Sequence, residues 1–178
     1  MVKRIVKKMD IIEGMDYFWQ STSEKEKVGE KYIINLANFD EMKLIYDEEF
    51  DEESVRKVLS AISNREMLSG NKKTMRFWNN NMWMLEDLEY TKMMIQPLKV
   101  LNLDDILERL NENAQSDLEE IEVIFTPAHI DEYYVKGNKL VINFFRVKPD
   151  LYEEGKVTIG ETDLKEFIYE KLLEVVKA

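Results

Sequence analysis

The sequence predicts an α+β fold: a mostly antiparallel sheet, helices packed on one side, and a C-terminal helix closing the domain. Three observations lead there. Apolar residues recur at helical spacing in the middle and at the end of the 178-residue chain. Between 119 and 147 the apolar period drops to two. And Gly137-Asn138 separates two strand-like runs, the signal of a two-residue hairpin loop.

At the N-terminus, Val2, Ile5, Val6, Met9 and Ile12 stand at helical spacing, so 2–12 reads as a short helix or an extended arm ending near Gly14. Tyr17-Phe18-Trp19 then anchors the chain on the core, and the polar run 20–27 reads as a loop or a short exposed helix. Segments 31–36 and 42–46 have the length and β-branched content of strands, which 37–41 could turn into a hairpin, with helices over both as the alternative. The clearest helix of the first half starts at Asp51, a capping residue followed by Glu52 and Glu53 at the positive end of the macrodipole. Val55, Val58, Leu59 and Ile62 form its inner face, and Asn64 or the Ser69-Gly70-Asn71 cluster ends it.

From 74 to 95 methionines and aromatics crowd one helix. Met75, Trp78, Met82 and Leu85 make one stripe, Phe77, Met84 and Leu88 a second, and Pro97 is expected to end it. A short helix capped by Asp104 follows, facing inward with Ile106, Leu107 and Leu110. Residues 111–117 are the best linker in a chain that otherwise reads as a single domain over 1–178.

The final third is strand-like. Residues 119–126 alternate, and the Gly137-Asn138 loop sets a register of Val135 opposite Leu140, Tyr134 opposite Val141 and Tyr133 opposite Ile142. A short strand at 156–159 precedes a helix capped by Thr162 or Asp163, which turns Leu164, Phe167, Ile168, Leu172 and Val175 inward. Asp163 and Glu166 have capping-box spacing.

Composition narrows the function classes. There is no Cys, which removes disulfides, thiolate metal sites and thiol nucleophiles, and the single His removes multi-histidine sites. The net charge of −11 repels phosphate backbones and anionic membrane surfaces, so neither nucleic acid nor membrane is an expected partner. No apolar run reaches the length of a membrane span, and acids follow the basic N-terminal residues where a signal peptide would need an apolar stretch. A cytoplasmic location is the expectation. Glycine-rich phosphate loops and a nucleophile elbow are absent, and no cofactor is implied.

A few constellations could carry chemistry. His129 with Asp131 and Glu132 could place an imidazole beside carboxylates as a catalytic pair, although two ligand types fall short of a metal site. Arg76, Trp78, Asn79, Asn80 and Trp83 could line a pocket of aromatic floor and amide walls; the alternative makes the asparagines a helix start or kink and the tryptophans core. Arg146, on the Leu140, Ile142 and Phe144 face of its strand, could hold an anion or pair with an acid. Acids are dense between 40 and 53, where the first turn of the Asp51 helix accounts for several.

Two expectations follow. The first is a binding or protein-interaction module, working through an aromatic-lined surface on a protein partner or a second copy of itself. The alternative is a small hydrolase or metal-assisted enzyme built on His129 with Asp131 or Glu132.

Overall fold

The computed structural model describes residues 1–177. In chain order the elements are β1 (Arg4–Lys8), α1 (Asp10–Ser23), α2 (Glu30–Ala37), α3 (Asp40–Lys43), α4 (Glu52–Asn64), α5 (Lys72–Glu86), α6 (Leu88–Lys99), α7 (Asp104–Asn113), β2 (Glu120–Thr126), β3 (Tyr133–Lys136), β4 (Lys139–Asn143), β5 (Val147–Pro149), β6 (Val157–Ile159), β7 (Thr162–Asp163) and α8 (Leu164–Lys177). This is the α+β class, with two sheets. The chain forms two compact units: a helical unit of Met9–Lys92 with Thr126–Asp131, and a sheet unit of Met1–Lys8, Met93–Phe125 and the chain from Glu132 onward. Residues 111–117 lie within the sheet unit. Among the described residues no helix is long and apolar enough to cross a membrane.

In the helical unit, burial at helical spacing overrides strand-like composition. The hairpin expected over 31–46 is instead two helices, because Ile33, Leu36 and Ala37 of α2 are buried together, as are Met42 of α3 and Ile45 just beyond it. Isoleucine-rich composition favours strands only where the alternate face also finds a partner. The 2–12 segment, expected as a short helix or an extended arm, divides at Met9: the first half is the extended strand β1, and α1 starts at Asp10 and buries Ile11, Ile12, Met15, Phe18 and Trp19. Gly14 sits inside α1 because a Cβ there would meet Leu36 Cδ2 of α2 at 2.9 Å. Its carbonyl also accepts the Tyr32 hydroxyl at 2.7 Å. Helix α4 begins as read. Asp51 accepts from the Ser54 amide while the Asp51 amide donates to the Ser54 hydroxyl, and Arg65 ends the helix in the left-handed region at φ 58°.

The helix expected over 74–95 is two. It breaks at Asp87, whose carboxylate accepts from the Tyr90 amide and so starts α6. Pro97 does not end α6; it lies two residues inside its C-terminus, where its missing N–H leaves the helix one hydrogen bond short. The last carbonyls are satisfied from outside the helix by Lys7, whose ammonium donates to Leu98 O at 2.6 Å and to Lys99 O and Leu101 O at 3.0 Å. Asp104 begins α7 as its first helical residue rather than its cap, since Leu103 takes the cap position and Asn102 accepts from the Asp104 amide.

The main sheet has the order β1-β2-β4-β3 and is mixed: β1 runs parallel to β2, and β3 antiparallel to β4. Charge aligns it. Arg4 pairs with Glu120 and Lys8 with Glu122 across the parallel register, while Lys139 of β4 reaches Glu122 at 3.0 Å from the other side. Lys8, and after it Lys139, hold the buried Glu122 carboxyl below its ordinary range. The β3–β4 hairpin has the predicted register, with Gly137 at φ +61°. The second sheet, β5-β6-β7, is antiparallel throughout. Helix α8 buries the predicted Leu164, Phe167, Ile168, Leu172 and Val175, and Asp163 accepts from the Lys165 amide. Glu166 closes no capping box: it takes Arg109 at 2.6 Å instead, and that guanidinium lies 3.7 Å over the Tyr169 ring.

Candidate functional site

Helix α5 sets the site of the helical unit. Its buried face is Thr74, Phe77, Asn81 and Met84, spaced i, i+3, i+7, i+10. That face uses one asparagine internally. The Trp19 indole N–H donates to Asn81 Oδ1 at 2.8 Å, and the Asn81 amide nitrogen donates to Phe77 O at 2.8 Å. Asn80 donates to the carbonyls of Ala128 and His129 at 3.3 and 3.4 Å, and Asn79 is exposed. The asparagine run therefore neither starts nor kinks a helix, and it does not line the cleft formed by α1, α4 and α5. It lies mid-helix because two of its amides find backbone or indole partners that offset their poor propensity.

The other stripe of α5 does line a cleft. Trp78, Met82 and Leu85, at i, i+4, i+7, form one wall. Thr22 and Ser23 at the end of α1 and Ala61, Ile62, Arg65 and Glu66 at the end of α4 form the others. The cavity measures about 480 Å³, in the range of sites that take small ligands or single side chains. Trp78 is half-buried, and Trp83 on the same helix is 65% exposed without lining the cleft. Arg76 is exposed and also stays outside it. The Trp78–Met82–Leu85 stripe was legible in the sequence but reads there as core. Arg65, Glu66 and Glu86 on the rim carried no local signal, because their meeting depends on how α1, α4 and α5 pack.

His129 is fully buried. The Ile130 amide donates to its Nδ1 at 2.9 Å, so the ring proton sits on Nε2, which donates to Ile45 O at 3.3 Å. The Phe50 ring stands edge-on 4.8 Å away, and Asp47 Oδ2 is 3.9 Å from Nε2. Burial pushes the imidazole below its ordinary 6.5, against the weaker pull of the Ile45 carbonyl, Asp47 and Asp131. Asp131 is exposed, and Glu132 belongs to the sheet unit, where its carbonyl accepts the Asn143 amide. The acid-dense segment is partly neutralised by Lys73, which bridges Asp47 at 2.7 Å and Glu49 at 3.3 Å. Among the described residues no three His, Asp or Glu side chains group closely enough to hold a metal ion.

Arg146 is not on a strand face. β4 ends at Asn143, whose side chain accepts the Phe145 amide and turns 144–146 into a 3₁₀ segment, leaving Arg146 half-buried. The sheet unit has a cleft of its own, of about 630 Å³. Met93, Pro97 and Val100 of α6 and its exit face Pro149 and Val157 of the second sheet and Leu164 at the start of α8. Sequence reading assigned none of these residues to a site.

No family model matches this chain, and no curated protein or solved structure is significantly similar to it.

Proposed function

We propose that the protein is an interaction module that receives an apolar side chain of a partner polypeptide in the α5 cleft of its helical unit. One observation carries this reading: an amphipathic helix whose buried face is already complete presents a second apolar stripe, Trp78, Met82 and Leu85, to an open cavity. Apolar concavities with an aromatic anchor are where partner side chains gain most from leaving water, and tryptophan is enriched among residues that dominate such interfaces. The Arg65, Glu66 and Glu86 rim supplies hydrogen-bonding groups of both signs around that floor. Acid surplus in this unit, 19 Asp and Glu against 11 Lys and Arg, disfavours polyanionic ligands and leaves polypeptides as the suitable class.

The test selects peptides by display on the full chain and measures them by fluorescence anisotropy against Trp78→Ala and Met82→Glu, with circular dichroism confirming that each variant is folded. The selected peptides carry aromatic or aliphatic residues and bind both variants roughly tenfold more weakly. Trp83→Ala, outside the cleft, leaves them unchanged. Peptides that bind the cleft variants as well as the parent chain end this reading.

A further inference from the structure

The cleft of the sheet unit has a charge pattern that the α5 cleft lacks. Its apolar floor, with Met93, Val100, Val157 and Leu164, is open enough that Val100 remains 71% exposed. Leu151 and Tyr152, next in sequence to the lining residue Asp150, are 66% and 99% exposed. Five charged residues line the rim, and their partners decide its sign. Lys165 is engaged by Asp105 at 3.0 Å and Lys156 by Glu153 at 3.7 Å, both acids outside the lining. The rim carboxylates of Asp150, Glu154 and Asp163 have no Lys or Arg within 4.0 Å among the described residues. Two of them are held in place by backbone. Asp150 accepts from the Tyr152 and Glu153 amides, which keep it below its ordinary range, and Asp163 accepts from the Lys165 amide. The rim cations thus pair with acids outside the lining, with Lys156 acting only weakly on Asp150, and carboxylates outnumber cations on the rim three to two.

We infer that this cleft docks a cationic amphipathic segment of a partner protein, its apolar residues on the Met93–Val100–Leu164 floor and its Lys or Arg residues against Asp150, Glu154 and Asp163. The size fits a few side chains rather than a whole domain. The same carboxylates repel an anionic membrane. They also disfavour a second copy of this chain, whose matching patch would bring like charges together.

The experiment titrates the full chain with a synthetic amphipathic Leu/Lys peptide and its Leu/Glu counterpart, reading anisotropy and the methyl resonances of Met93, Val100, Val157 and Leu164. The Leu/Lys peptide binds and shifts those methyls, and the Leu/Glu peptide binds at least roughly tenfold more weakly. The triple variant Asp150→Asn, Glu154→Gln, Asp163→Asn keeps the hydrogen-bond acceptors and loses roughly fivefold or more in affinity, as does raising the salt. Val100→Glu, at an exposed position, blocks the floor without unfolding the chain. Equal binding of both peptides, or a triple variant that binds like the parent, overturns the proposal. So does binding that leaves the four methyls unmoved, which would place the peptide on the more acidic helical unit. A dimer in sedimentation equilibrium that Val100→Glu dissociates, or binding to phosphatidylserine vesicles that the same change abolishes, overturns it in favour of self-association or a membrane.

Discussion

The helical unit and the sheet unit bury polar groups by different means. In the helical unit the partners are neutral: the Trp19 indole on Asn81, the Asn80 amide on two carbonyls, the His129 imidazole on Ile45 O. In the sheet unit the buried carboxylate of Glu122 is held ionically between Lys8 and Lys139, while Arg109 pairs with Glu166 at the surface. Helices satisfy their own backbones, so what remains to be fixed between them is side-chain packing, and a few neutral hydrogen bonds suffice. Strands must find a register, and alternating charges along neighbouring strands discriminate one register from its neighbours. The clefts follow suit, one walled by helix faces around a tryptophan, the other rimmed by carboxylates.

The largest test of this contrast is Asn81→Ala, which leaves the buried Trp19 N–H without its acceptor and opens a small cavity. It is expected to cost about 2–3 kcal/mol in urea denaturation, with the Trp19 near-ultraviolet signal altered. A cost within error would show that the neutral hydrogen bonds of the helical unit are dispensable. In the sheet unit Glu122→Gln is expected to cost about 2 kcal/mol at pH 7, since two lysines lose their shared anion. Its sign with pH is set by the depressed carboxyl. The ionised form stabilises the fold above the ordinary 4.5, and that contribution fades as pH falls through the lower native value. Parent and variant should therefore converge in acid; a constant gap would show that shape, not charge, matters at this site.

His129 sharpens the other side. Because burial depresses its pKa, the unfolded chain takes up a proton below 6.5 that the native chain resists, so stability falls as pH drops below that point. The parent should lose up to about 1.4 kcal/mol per pH unit there relative to His129→Gln. Parallel pH profiles between 7 and 5 would mean that the imidazole protonates freely in the fold. The smallest effect belongs to Trp83→Ala, expected within about 0.5 kcal/mol of the parent while removing the most solvent-exposed tryptophan emission.

Some elements were readable because their information is local. The Asp51 start of α4, the Gly137-Asn138 hairpin and its register, and the inner face of α8 each depend on residues a few positions apart. Much of the first forty-six residues stayed open between strand and helix for the opposite reason. Isoleucine-rich stretches suit a strand or a helix, and the choice fell to which spacing found a buried partner: α2 against α1 at Gly14, and β1 beside β2 across more than a hundred residues. The candidate sites divide the same way. Trp78 was named and does line a cleft, while Arg76, Asn79, Asn80 and Trp83 face elsewhere, because a helix turns neighbouring residues in different directions.

By itself the sequence determined the class, the absence of cysteine chemistry, the acidic charge and those elements whose caps, turns and periods are short-range. Only the tertiary structure decided that His129 and Asn81 are spent on interior hydrogen bonds, and that the concavities arise from Arg65, Val100, Asp150 and Leu164, which no local pattern connects. Hydrogen bonding within a turn is encoded by neighbours in the chain, whereas a cleft is what packing leaves unfilled between segments far apart in it.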